Sequence, residues 1–225
     1  MKCSIMKYPL ATDSWGWEER LAILKVMAKG KYTMGEDVSK FETEFAKKMG
    51  VTNAIMVNSG SSANLIGLAA WMYSRGIPPG GEIIVPAVSW STTYFPITQL
   101  GFVPVFVDVD LDTFNLSAAM TKAAITDKTV AILAVNLLGM PCPLKWLSAL
   151  CSARNIDLIE DNCESLGATH YNQQAGTFGI FGTYSFFFSH HLQTMEGGMI
   201  VTNDDKLADY ARSLRAHGWV RDVKT

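Results

Sequence analysis

Two adjacent histidines, His190 and His191, stand in the run Ser-Phe-Phe-Phe-Ser-His-His-Leu-Gln-Thr-Met-Glu-Gly-Gly over residues 185–198. An imidazole, with an ordinary pKa near ~6.5, can take and return a proton at neutral pH. Unlike a lysine amine, it cannot tether an aldehyde covalently. His190 is therefore a candidate general base. Histidine pairs also occur as surface residues or metal ligands, but no third ligand follows at a helical or strand spacing, which disfavours a metal site.

Acidic residues follow an apolar run at residues 156–159 and supply a second candidate group. Asp161 is expected at the carboxyl end of a buried strand, where open α/β sheets place their ligands, and Glu164 follows three residues later. A carboxylate at Asp161 can pair with a protonated pyridine nitrogen and keep an aromatic cofactor electron-withdrawing. A helix N-cap or a surface ion pair is the structural alternative for both residues.

Small and aromatic residues at three other predicted strand ends complete the candidate site. Gly60 and Ser61 follow a short apolar strand and open a helix, where backbone N–H groups can approach an anion. The Ser185 hydroxyl can complete the same cradle, and the Trp90 indole can lie flat on an aromatic ring. Ordinary helix capping and core packing are the alternatives for the Gly60 turn and for Trp90.

Apolar runs alternate along the chain with amphipathic stretches, which is typical of an α/β domain. We predict a mostly parallel seven-stranded sheet between helices. The predicted strands cover residues 54–57, 82–85, 103–107, 130–135, 156–159, 184–188 and 199–202. The predicted helices cover residues 61–73, 92–100, 116–124, 144–154 and 204–215.

The first 50 residues have a different pattern, because residues 15–30 and 36–50 both show helical periodicity with no strand between them. We predict an N-terminal helical arm over residues 1–50 and a large cofactor-binding domain over residues 51–225. No closing turn or cap follows Trp219, so we expect a small C-terminal domain to be absent from this chain.

Composition excludes several classes of function. The chain has 225 residues, of which 48% are hydrophobic and 18% charged, with a formal net charge of −2 and no cluster of basic residues. Nucleic-acid binding is therefore not expected. No apolar run reaches the ~20 residues that span a bilayer, and no signal-like start is present, so we expect a cytoplasmic protein. Four cysteines without Cys-x-x-Cys spacing are expected to be reduced thiols.

Taken together, these residues resemble the DegT/DnrJ/EryC1/StrS family of sugar aminotransferases, which has the fold type I architecture of aspartate aminotransferase. The family landmarks occur in order over nearly the whole chain: Gly60 and Ser61 for phosphate, Trp90 for ring stacking, Asp161 for the pyridine nitrogen and Ser185 for phosphate. The resemblance implies pyridoxal 5'-phosphate and pyridoxamine 5'-phosphate as cofactors. It also implies a homodimer with the active site at the interface.

Two departures from the family pattern point to one branch. His190 stands where most members carry a catalytic lysine, and Glu164 stands where most carry a glutamine. Both resemble the lysine-less branch that removes the C3 hydroxyl of GDP-4-keto-6-deoxy-D-mannose. That branch implies L-glutamate as amino donor, His190 as the base, and release of ammonia with a 3-deoxy-4-keto sugar. The family further implies substrate contacts at Met34, Gly35 and His217, for which a plain loop and a helix C-terminal cation are alternatives.

Three other functions are compatible with these residues. A dehydratase of CDP-4-keto-6-deoxyglucose also has a His-His pair, and its iron–sulfur cysteines would fall beyond residue 225. A nucleotide-sugar aminotransferase in which His190 or another residue compensates for the lysine is the second alternative. The third is a non-catalytic or regulatory relative that binds the cofactor, or a truncated product that cannot complete a site.

Overall fold

The computed structural model describes residue 9 and residues 11–220, in which helices cover a central sheet. The helices are α1 (Trp17–Lys29), α2 (Glu36–Met49), α3 (Gly60–Arg75), α4 (Ser91–Gln99), α5 (Ala118–Ala124), α6 (Leu144–Arg154) and α7 (Asp205–Arg215), with a 3₁₀ turn at Leu137–Gly139. The strands are β1 (Asn53–Val57), β2 (Glu82–Pro86), β3 (Val103–Val107), β4 (Thr129–Val135), β5 (Asp157–Asp161), β6 (Thr169–His170), β7 (Gln173–Gln174), β8 (Phe181–Ser185) and β9 (Gly198–Thr202). None of the helices in this part of the chain is long and apolar enough to cross a bilayer.

The main sheet has seven strands in the order β1-β9-β8-β5-β4-β2-β3. Parallel pairing joins β8, β5, β4, β2 and β3 in turn, whereas β9 runs antiparallel to both of its neighbours, β1 and β8. Six strands of this sheet therefore point the same way and β9 is reversed. The predicted α/β class and mostly parallel seven-stranded sheet are confirmed. The short strands β6 and β7 form a separate two-stranded ribbon.

Continuous apolar runs form the central strands because both faces of the sheet are covered. On one face, Trp71 of α3 and Leu207 of α7 are fully buried with Ile200 of β9. On the other face, Leu144 and Leu147 of α6 are fully buried in a second core. The two cores make the sheet a rigid platform, and the ends of its strands carry the candidate functional residues.

One strand boundary departs from the prediction. We expected a strand over residues 184–188, but β8 is Phe181–Ser185. Ser185 pairs with Gly198 as the last register pair, and the chain then turns so that the His190 N–H donates to the Phe187 carbonyl at 3.0 Å. The aromatic run misled the prediction, because Phe188 has left the sheet and is 43% exposed. The other predicted helices and strands agree with the structure to within two residues.

The two N-terminal helices differ in their packing. Helix α2 buries Phe45, Ala46 and Met49, and the Phe45 ring lies 5.3 Å from Tyr184 of β8 in an edge contact. Helix α1 buries none of its residues. In the described structure α2 therefore packs against the sheet. The division of the chain at residue 50 into an N-terminal arm and a large domain stays a prediction.

Replacing Phe45 by alanine tests the packing of α2 on the sheet. Phe45 is 4% exposed, so Phe45→Ala should lower the free energy of unfolding by about 3–5 kcal/mol through lost burial and a cavity. Phe95→Ala is the matched control, since Phe95 is 57% exposed, and its change should stay within about 0.5 kcal/mol. Denaturant unfolding measures both values, and equal losses would contradict this packing.

Candidate active site

The candidate residues come from strand ends at one edge of the sheet. Strands β1, β5 and β8 point in one direction, and their carboxyl ends lead to Gly60, Asp161 and Ser185 respectively. Trp90 follows the carboxyl end of β2 and precedes α4. Parallel topology thus delivers side chains from distant parts of the chain to the same edge, which is where open α/β sheets bind ligands.

Asp161 is a buried carboxylate, 4% exposed, with hydrogen bonds to both oxygens. Oδ2 accepts from Asn64 Nδ2 and from the Thr93 hydroxyl, each at 2.9 Å, and Oδ1 accepts from the Cys163 backbone N–H at 3.1 Å. Neither structural alternative considered for Asp161 applies, because it neither caps a helix nor lies on the surface. A buried carboxylate with three donors is held at one orientation.

Sequence reasoning missed three of the residues that surround Asp161. Asn64 lies one turn into α3, and its Oδ1 accepts from the Thr183 hydroxyl at 2.6 Å. Thr93 lies in the first turn of α4, where its N–H donates to the Trp90 carbonyl at 3.0 Å. Spacing could have found two of them. Asn64 is a polar residue one helical turn after the candidate anion loop, and Thr93 is a polar residue three positions after the candidate stacking residue Trp90.

Gly60 and Ser185 lie side by side. A Cβ added to Gly60 would come within 2.6 Å of Ser185 Cβ and 2.9 Å of Cys163 Sγ, so a side chain at Gly60 does not fit. A Cβ on Gly198 would collide with the carbonyl oxygen of Ser59. The turn into α3 is therefore packed directly against the ends of β8 and β9, and Ser185 borders it with its hydroxyl.

The first turn of α3 has donors available for an anion. Ser59 caps the helix, because its hydroxyl accepts from the Ser62 N–H at 3.1 Å, and its carbonyl accepts from the Ala63 N–H at 2.9 Å. In residues 11–220, the N–H groups of Gly60 and Ser61 make no hydrogen bond. Ser59 can therefore cap the helix while the N–H groups of Gly60 and Ser61 remain available for an anion.

His190 lies within the electrostatic influence of both candidate carboxylates. Partial burial lowers the pKa of its imidazole, the charges of Glu164 and Asp161 oppose that shift, and His191 adds to it. Glu164 is itself placed by its Oε2, which accepts from the Leu138 N–H at 3.0 Å. Burial therefore favours the neutral imidazole, which is the form that can accept a proton, and the two carboxylates favour the cation that results.

Two neighbours of Asp161 have pKa values above their ordinary range. Glu160 alternates to the opposite face of β5, where burial raises its pKa although the N–H groups of Gly176, Phe178 and Gly179 donate to it. Burial and the Asp161 charge raise the pKa of the Cys163 thiol well above its ordinary value. Glu160 thus fixes the segment after β7, and Cys163 stays a neutral thiol beside Gly60.

Three predicted substrate residues lie elsewhere in the described structure. Met34 and Gly35 line a groove of about 710 Å³ whose other walls include Glu42 of α2 and Arg215 of α7. His217 is exposed after α7, with its ring 6.3 Å from that of Trp219. None of them contacts the Asp161 cluster, and their assignment to a substrate stays a prediction.

Trp90 is 71% exposed, so the core alternative for this residue is wrong. Its indole borders the turn that carries Thr93 to Asp161. In the part of the chain that the structure describes, no group of three or more His, Cys, Asp or Glu residues is arranged to hold a metal ion. An exposed indole, a buried carboxylate, a helix-opening turn with two unbonded N–H groups and a partly buried imidazole are thus the components of this sheet edge among the described residues.

Comparisons with known proteins agree with this arrangement. The family model for the DegT/DnrJ/EryC1/StrS aminotransferase family matches residues 14–225. The chain belongs to this family. It is 49% identical over 221 residues to a GDP-4-keto-6-deoxy-D-mannose 3-dehydratase of Escherichia coli O55:H7, covering 97% of this chain and 57% of that protein. It is 45% identical over 225 residues to a protein of the same description from Yersinia pseudotuberculosis, covering 99% and 57%.

A solved structure of a GDP-4-keto-6-deoxymannose-3-dehydratase with a trapped PLP-glutamate geminal diamine is also similar. It has a TM-score of 0.94 and 49% sequence identity, and the match covers 97% of this chain and 57% of the other. The fold type I architecture expected from the sequence is thereby confirmed. The chain spans little more than half the length of the relatives it matches.

Replacing Glu164 by glutamine tests the electrostatic control of His190. The amide keeps the size of the side chain and an acceptor for the Leu138 N–H but removes the charge that raises the pKa of His190. We expect the pKa of His190 to fall in Glu164→Gln, as measured by an NMR titration of the imidazole. Glu44→Gln, at an exposed residue paired with Lys40, is the control and should leave that pKa unchanged. An unaltered titration of His190 in Glu164→Gln would refute the interaction.

Proposed function

We propose that the chain provides the cofactor-binding and catalytic part of a pyridoxal-phosphate-dependent 3-dehydratase that acts on GDP-4-keto-6-deoxy-D-mannose. The single observation that carries the proposal is His190, an imidazole in a run without lysine, at the position expected for the family's lysine and under the electrostatic influence of Glu164 and Asp161. The similarity at 49% identity to proteins of that description supports the substrate class. The reaction belongs to deoxysugar biosynthesis.

The residues at the sheet edge fit the proposed cofactor. The N–H groups of Gly60 and Ser61, with the Ser185 hydroxyl, would hold the phosphate, and the close packing of Gly60 on Ser185 brings these groups to the same place. Asp161 would accept from the pyridine nitrogen, and the exposed face of Trp90 would cover the ring. Glu164, three residues after Asp161, would also belong to the cofactor site, where its Oε2 accepts from the Leu138 N–H.

When bound, pyridoxal phosphate or its amino form supplies an electron sink for charge that develops on the adjacent carbon. His190 would take a proton from that carbon and return it, while the buried Asp161 would accept a hydrogen bond from the ring nitrogen. The lowered pKa of His190 favours the neutral imidazole, which is the form that can accept a proton. Proton transfer by a positioned side chain contributes about 10²–10⁴ in rate.

The overall reaction balances with L-glutamate as the second substrate. Glutamate is oxidised to 2-oxoglutarate and ammonia, and the oxygen at C3 of the sugar is lost, so two electrons pass from glutamate to the sugar. The run over residues 181–198 contains no lysine, and Lys145 lies over the Tyr171 ring at 4.1 Å. Without a lysine to take over the cofactor at this position, loss of the C3 hydroxyl is favoured over ordinary amino transfer.

We further propose that the enzyme is a cytoplasmic homodimer whose active site is completed at the subunit interface. The free thiols of Cys142, Cys151 and Cys163 support a reducing compartment. Cys3 lies outside the described residues. We also propose substrate contacts at Met34, Gly35 and His217. The position of Met34 and Gly35 in an open groove supports this assignment.

Product analysis tests the proposed reaction. The protein, in the length that the cell produces, is incubated with pyridoxal phosphate, L-glutamate and either GDP-4-keto-6-deoxy-D-mannose or CDP-4-keto-6-deoxyglucose. We expect ammonia and a 3-deoxy-4-keto product with the GDP sugar, measured by mass spectrometry and an ammonia assay. A product that retains nitrogen would indicate an aminotransferase, and turnover of the CDP sugar would indicate the other dehydratase. Cofactor binding without any product would indicate a non-catalytic relative, and absence of cofactor binding would indicate a truncated product with an incomplete site.

Replacing His190 by lysine tests the role of the base. We expect His190→Lys to lose dehydration by at least about 10²-fold and to attach the cofactor covalently, which borohydride reduction and intact-protein mass spectrometry detect. His191→Lys is the matched control, because the same charge is introduced one residue away, and it should not attach the cofactor. Retained dehydration in His190→Lys would rule out His190 as the base.

A further inference from the structure

We propose that Asn64 and Thr93 are positioning residues that fix the Asp161 carboxylate in a single orientation, with one acceptor direction left for a ring nitrogen. Both donate to the same oxygen, Oδ2, from two different helices at 2.9 Å. This inference rests on the proposed function for the identity of the ring, and on the hydrogen bonds of the described residues for the orientation of the carboxylate.

The number of acceptor positions on the carboxylate makes the orientation specific. An ionised carboxylate has about four lone-pair sites, two on each oxygen. Asn64 and Thr93 occupy the two on Oδ2, and the Cys163 N–H occupies one on Oδ1. The remaining site on Oδ1 is the one from which Asp161 can accept a further N–H.

The carboxylate fixes the direction of these hydrogen bonds, because it only accepts. The amide of Asn64 must therefore present its NH₂ to Asp161, which leaves Asn64 Oδ1 to accept the Thr183 proton at 2.6 Å. Thr93 gives its single proton to Asp161, so Ser89, 3.0 Å from the Thr93 oxygen, must be the donor in that pair. Each group has one compatible orientation, and the whole chain of bonds ends on the carboxylate.

The same bonds connect the carboxylate to three separate elements. Asn64 belongs to α3, whose first turn carries the proposed phosphate donors, and Thr93 belongs to α4, which begins after Trp90. Thr183 belongs to β8, two residues before Ser185. These hydrogen bonds therefore link Asp161, the proposed contact for the ring nitrogen, with the elements that carry the proposed contacts for the phosphate and for the ring face.

The test measures cofactor binding and the protonation of the ring nitrogen. Thr93→Val and Asn64→Leu each remove one donor to Oδ2 while keeping a similar volume. We expect the Kd for pyridoxal phosphate to rise about tenfold in each variant, from the loss of a hydrogen bond to a charged group. The ¹⁵N shift of labelled pyridoxal phosphate should show the ring nitrogen losing its proton at a lower pH than in the unmodified chain.

Control variants separate this role from a general structural one. Thr93→Ser keeps the hydroxyl and should restore binding to within about twofold of the unmodified chain. Thr98→Val changes the same residue type on α4, where the hydroxyl bonds only locally to the Phe95 carbonyl, and should have no effect. Circular dichroism shows whether Thr93→Val folds. If its added methyl group prevents folding, Thr93→Ala replaces it in the test, with the same expected rise in Kd.

A double-mutant cycle with Asp161→Asn completes the test. If Thr93 acts through Asp161, adding Thr93→Val to Asp161→Asn should change the Kd by less than about twofold. Tight binding and an unchanged ring nitrogen in Thr93→Val and Asn64→Leu would overturn the inference and leave the proposed function intact. Failure of the unmodified chain and of Thr98→Val to bind pyridoxal phosphate would overturn both.

Discussion

The structure of the site depends on placing one buried negative charge at the end of a central strand. Moving a carboxylate out of water is costly unless it is paired or hydrogen-bonded. Asp161 meets that requirement with donors from Asn64, Thr93 and the Cys163 backbone, which come from elements that are far apart in sequence. The parallel sheet and the helices packed on it hold these donors at the same point. The fold therefore fixes the position and orientation of the Asp161 carboxylate.

A second constraint acts at the turn into α3. Gly60 packs on Ser185 and Cys163, and Gly198 packs on the Ser59 backbone, so four chain segments meet with no room for a side chain. Because β9 runs antiparallel to β8, its first residue, Gly198, lies at the edge where β8 ends, directly against the turn into α3. The proposed phosphate site is therefore part of the same close packing.

Much of this arrangement could be predicted from the sequence. The strand at 103–107 and the helix at 144–154 were predicted with the observed bounds, and for the helix the end signals are clear, since Pro143 precedes it and Asn155 ends it in a left-handed conformation. The end of β8 was misplaced, since Phe186 to Phe188 have strand-like apolar character although the chain turns after Ser185. Asn64, Thr93 and Thr183 were missed because their hydrogen bonds depend on proximity in space; spacing could have marked Asn64 and Thr93 as candidates, but it does not show which group they contact. Only the tertiary fold brings Thr93 to Asp161.

The most direct test of the account is a crystal structure of the chain with pyridoxal phosphate bound. We predict a ring with no covalent bond to the protein, its nitrogen about 3 Å from Asp161 Oδ1 and a His190 ring nitrogen within proton-transfer reach, about 3–3.5 Å, of the carbon that bears the aldehyde. A ring bonded to any lysine, or lying away from Asp161 and His190, would contradict the account.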